Sequence, residues 1–115
     1  MEINGDILSR EYHPDKFNCG HFFLWAWNKL FPDKAFAIPG GDQGFGLLSV
    51  KSNFKMVSKL EKYGVVTMHH RSFVPHIGIF FKGKVLHIRQ NGVEYQPLSV
   101  VRIGYQEIRF YEYIE

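Results

Sequence analysis

An α+β fold is what this chain predicts, and three observations predict it. A capped apolar stretch, Cys19 to Phe31, reads as a helix that Pro32 stops. After Gly64 the hydrophobic period shortens from helical spacing to alternation. Two apolar runs, Ile77 to Phe81 and Val85 to Ile88, flank a short Lys82-Gly83-Lys84 connection, the pattern of a hairpin. Helices followed by a run of antiparallel strands give an α+β class. At 115 residues a single domain, 1–115, is expected.

The elements follow in order. Residues 1–17 are polar and turn-rich, with His13-Pro14-Asp15 as a turn. Asn18 is a good N-cap for the first helix. That helix is apolar nearly all round, which places it centrally. Pro32, Pro39, Gly40, Gly41, Gly44 and Gly46 mark a loop over 32–46, a candidate lid. A second helix is expected over about 50–63, because Phe54, Val57, Leu60 and Tyr63 recur at helical spacing and Gly64 offers a stop. Strands are expected at 65–68, 77–81, 85–88 and 108–114, with a short edge piece near Gln96 to Val101.

Composition narrows the function classes. The chain is 45% hydrophobic and 17% aromatic, which suits a small packed core. One cysteine excludes an internal disulfide and a Cys-rich zinc pattern. No His-x-x-x-His pair is present, so no metal and no cofactor is expected. The formal charge is +3, but Lys and Arg are scattered, so no nucleic-acid partner is expected. Residues 40–46 lack the Gly-Lys-Ser/Thr ending of a phosphate loop. The longest apolar run, Phe22 to Trp27, is too short for a membrane span. Residues 1–6 carry no secretory signal. Synthesis in the cytoplasm is therefore expected, with any outside target reached on lysis or within a particle.

Cys19 is the candidate nucleophile. At a helix N-terminus the macrodipole favours thiolate over thiol, so a lowered pKa is expected. A two-residue Lys82-Gly83 turn pairs Phe81 with Lys84, Ile79 with Leu86 and Ile77 with Ile88. His76 and His87 then fall on the other face, diagonally about 7–8 Å apart. Shifting the turn by one residue keeps them together, whereas a three-residue loop splits them. Gly78 lies between them and admits a close neighbour. If the first helix packs on that face, Cys19, His76 and His87 meet. His76 is then the base, His87 fixes its tautomer, and the Cys19 N–H is an oxyanion donor. His69-His70 is a second candidate base in a loop setting. His21, two residues past Cys19, does not share its helix face. His13 and Asn18 are placed on the rim of the cleft as substrate contacts.

Asp15-Lys16-Phe17-Asn18-Cys19-Gly20-His21-Phe22-Phe23 resembles the nucleophile motif of the NlpC-type papain-like cell-wall peptidases. His76-Ile77-Gly78-Ile79-Phe80-Phe81, Gly83 and Val85-Leu86-His87 resemble that family's histidine hairpin. Val65-Val66-Thr67-Met68 matches its preceding strand, and Val93 to Val100 with Ile108 to Tyr111 resembles the end of small stand-alone members from tailed bacteriophages. Asn18 and Gly20 stand where the family usually has Asp before the cysteine and a small residue or Trp after it. The resemblance implies a papain-like fold, with the cysteine helix packed on an antiparallel sheet, and catalysis by Cys19, His76 and His87. It implies a thiol peptidase or amidase cutting peptidoglycan stem peptides through an acyl-enzyme, with Tyr12 as a substrate contact and phage tail proteins as partners. Asn18-Cys19-Gly20-His21-Phe22 also resembles the motif of the permuted lecithin–retinol acyltransferase relatives, but there the histidines precede the cysteine. An acyltransferase or thioesterase on the same site, and a non-catalytic structural module, are the alternatives.

Overall fold

In a computed structural model, which describes residues 3–14, 18–35 and 53–114, one helix covers a six-stranded antiparallel sheet. The elements are α1 (Gly5–Leu8), α2 (Cys19–Leu30), β1 (Phe54–Val57), β2 (Tyr63–His70), β3 (Phe73–Phe81), β4 (Lys84–Arg89), β5 (Gly92–Pro97), α3 (Leu98–Val101) and β6 (Glu107–Tyr113). Short 3₁₀ turns occupy Pro32–Lys34 and Arg102–Gly104. The strand order is β1-β6-β2-β3-β4-β5, so the last strand lies inside the sheet. Among the described residues no helix is long and apolar enough to cross a membrane. The candidate lid over 32–46 falls mostly outside the described residues.

The first helix begins where the sequence predicts. The Asn18 side chain accepts hydrogen bonds from the N–H groups of Gly20 and His21, at 3.0 and 3.3 Å. The Asn18 N–H donates to His21 Nδ1 at 3.0 Å, closing a capping box with histidine in the usual Glu/Gln position. Phe22, Phe23, Ala26, Trp27 and Leu30 are buried. They pack with Val65, Ile77, Ile79, Phe81, Leu86, Ile88 and Tyr111 in the main core. Trp27 anchors it: its ring meets Phe31 at 4.5 Å and Phe54 at 5.0 Å, and its Nε1–H donates to the Lys34 carbonyl.

Of the second helix expected over about 50–63, the described residues from Phe54 onward are not helical. Residues 50–52 lie outside the described residues, and β1 takes 54–57. Helical spacing put Phe54 and Tyr63 on one helix face. Extended chain puts Phe54 opposite Tyr113 on β6, where their rings meet edge to face at 5.5 Å. Burying Phe54 in a sheet outweighs a weak helical preference. Gly64 is no helix stop either. It is an interior β2 residue packed so tightly that a Cβ would collide with Leu60 and the Tyr111 carbonyl.

The central hairpin has the predicted register next to its turn, but the expected Ile77–Ile88 pair is not part of the ladder, which stops at Ile79 and Leu86. Phe81 pairs with Lys84, Phe80 with Val85 and Ile79 with Leu86. Lys82 and Gly83 both have positive φ, 52° and 82°, as a type I′ turn requires. The expected edge piece near 96–101 divides into the end of β5 and the single turn of α3.

One expectation about packing is reversed. The apolar side of α2 lies on the Ile77, Ile79, Leu86 and Ile88 face, not on the face that carries the histidines. The histidine face has its own apolar cluster of Val66, Met68, Phe80, Val85, Val101 and Phe110, with Leu98 and Tyr105 packed over it. The physical reason is patterning. Bulky aliphatic side chains line the first face, whereas Gly78, His76 and His87 offer little apolar area on the second.

Candidate active site

Cys19 and His76 nevertheless open onto a common space. Cys19 and His76 line one cavity of about 440 Å³, together with Tyr12, Ile88, Arg89, Gln90, Asn91, Gly104 and Tyr105. Among the described residues no hydrogen bond joins Cys19 to His76. The nearby backbone N–H groups of Ile77, Gly20 and Cys19 favour the charged form of the sulfur.

The histidine pair is a close contact. His76 Nε2 lies 2.9 Å from His87 Nδ1, with the ring planes 75° apart. His87 Nε2 in turn lies 3.1 Å from Gln96 Oε1. His87 is 1% exposed, whereas His76 and Gln96 on either side of it are half-buried. The Tyr105 ring lies parallel to His76, with centroids 6.4 Å apart. Gly78 makes the approach possible. A Cβ there would stand 2.9 Å from the Leu86 carbonyl oxygen and from Val85 Cγ1, and 3.2 Å from His87 Cβ.

The electrostatics correct one expectation. Burial pushes the Cys19 thiol up from its ordinary 9.0, and the nearby N–H groups only partly offset this. The helix terminus therefore does not produce a resting thiolate, because desolvation outweighs it. Burial also pushes His76 down to about 3, helped by the charges of His87 and Arg89. His87 is lowered mainly by burial, against the opposing pull of Gln96 and Glu94. At neutral pH the site holds a thiol and two neutral imidazoles.

Other expected residues distribute unevenly. Tyr12 lines the cavity. Asn18 does not; its amide oxygen caps α2 and its Nδ2 donates to the Pro14 carbonyl at 3.2 Å. His13 is exposed and stands outside the cavity lining. His69 and His70 lie at the end of β2, away from that lining; His69 Nε2 meets Thr67 Oγ1 at 2.8 Å, and His70 Nδ1 accepts from the Ser72 N–H. Residues Asp15, Lys16 and Phe17 of the nucleophile motif fall outside the described residues. Sequence reading missed Gln96, Arg89 and Tyr105. The Asn91-Gly92 turn signal could have located β5, and with it the Gln96 register. Tyr105 gave no such signal. Among the described residues no group of three or more His, Cys, Asp or Glu is placed to hold a metal.

Comparison with known protein families, with curated protein sequences and with solved structures found no match.

Proposed function

We propose that this chain is a papain-like cysteine hydrolase of the NlpC type, cutting an amide bond in peptidoglycan stem peptides. One observation carries the reading: Cys19 shares a cavity with a histidine, His76, whose Nε2 meets a second histidine. Nucleophile, base and orienting group in that order are what acyl transfer requires. Because the resting thiol is protonated, proton transfer to His76 accompanies sulfur attack on the carbonyl. The C–N bond then breaks and the imidazolium protonates the departing amine. Water, deprotonated by His76, opens the Cys19 thioester and releases a carboxylic acid. The Cys19 N–H is available to the oxyanion. Arg89, Gln90 and Asn91 offer polar contacts to a peptide backbone, beside the apolar Tyr12, Ile88 and Tyr105 of the same cavity. Work within a phage tail particle, or as a lysis factor, accords with this substrate.

The test is incubation with purified disaccharide-peptide fragments, with products resolved by mass spectrometry. A new free amine with the wild-type chain, and none with Cys19→Ala, is expected. If wild type neither cleaves a panel of stem peptides nor forms a trappable thioester, the reading falls and the non-catalytic module takes its place.

A further inference from the structure

The chain of polar contacts extends one residue past the histidine pair, and its end determines which nitrogen holds each proton. Gln96 stands on β5 opposite Val85, diagonal to His87. An amide oxygen only accepts hydrogen bonds. Gln96 Oε1 at 3.1 Å therefore requires the proton of His87 to sit on Nε2. A neutral His87 then has its lone pair on Nδ1. That lone pair faces His76 Nε2 at 2.9 Å, so His76 Nε2 must donate. A neutral His76 so arranged carries no proton on Nδ1, leaving that atom free to accept one.

We infer that Gln96 is a positioning residue, which fixes the Nε2–H tautomer of both histidines and so presents His76 Nδ1 as the proton-accepting atom. The alternative arrangement would put the proton on His76 Nδ1 and turn the base into an acid. The inference is about tautomers. Its catalytic consequence rests on the proposed hydrolase, but the tautomers themselves do not.

Two measurements separate these levels. Long-range ¹⁵N–¹H correlation spectra of the full chain at pH 7.5 read the tautomers without any substrate. Wild type is expected to show Nε2–H on both His76 and His87. Gln96→Leu should lose this single pattern, while Gln96→Glu, which retains an acceptor, should keep it. Activity on stem-peptide fragments should fall about tenfold to a hundredfold in kcat for Gln96→Leu, with KM little changed, and recover in Gln96→Glu. In Gln96→Glu the acidic limb of the pH profile should also move upward, since a carboxylate favours imidazolium. The other groups facing the pair are Glu94, Arg89, Tyr105 and Cys19, all unchanged in these variants. A wild-type spectrum with the proton on His76 Nδ1 overturns the inference. So does a Gln96→Leu spectrum identical to wild type. Should Gln96→Leu fail to fold, the wild-type and Gln96→Glu spectra still decide. Expected tautomers in a chain without hydrolase activity would uphold Gln96 and sink the proposed function.

Discussion

Cys19 has a double setting. Its position at the start of α2 favours charge, and its burial opposes it. Burial is the larger influence, so alkylation should be slow at neutral pH. The rate of iodoacetamide labelling is expected to climb only above the ordinary thiol value of 9.0, followed by mass spectrometry. A plateau reached below pH 7 would mean a resting thiolate and a different mechanism. At this scale the sequence was informative about identity but not about charge. A lone cysteine behind an N-cap is visible in the string. The desolvation that sets its protonation comes from β3 and from residues far along the chain.

The β3–β4 hairpin is the element that makes the site. Its register was legible because a two-residue turn and period-two patterning leave few pairings. Gly78 is the position where the hairpin is most demanding. Gly78→Val should force the Leu86 carbonyl and Val85 apart, at a cost of about 1–3 kcal/mol of stability. It should also break the His76–His87 contact. Urea denaturation with the imidazole NMR signals checks both. A variant as stable as wild type with an intact pair would show that the close approach is unnecessary. The helix expected over about 50–63 fails at this same scale, since Phe54–Val57 form β1. Phe54, Val57, Leu60 and Tyr63 fit a helical stripe by spacing. What decides the conformation of Phe54 and Val57 is β6, a strand far along the chain that supplies Tyr113 and Phe110 opposite them, while Tyr63 opens β2 opposite Phe81. Trp27→Ala, which empties the centre of the aromatic cluster joining α2 to these strands, should cost about 3–5 kcal/mol in the same assay.

For the whole molecule, the buried histidine pair sets a pH dependence. His76 and His87 are both depressed below their ordinary 6.5, His76 to about 3. The unfolded chain therefore binds more protons than the folded one at acid pH. Stability from this pair is fully present above pH 6.5 and is lost as pH falls from 6.5 toward 3. Thermal midpoints should drop across that window, and His87→Asn should flatten the drop. An unchanged slope would show that the pair is already charged in the folded state, or that other groups dominate.

The sequence by itself determined the local grammar: the capped start of α2, the type I′ hairpin, and the common face of His76 and His87. Each follows from neighbours within a dozen residues, through turn chemistry and the period of an extended chain. Tertiary structure alone decided the rest. It put β6 inside the sheet, drew residues 54–57 into a strand, and laid α2 on the face away from the histidines. It also brought Gln96 and Tyr105 to the pair and made the thiol neutral. These outcomes depend on which apolar surfaces meet and how much water they expel, and both are properties of the assembled core.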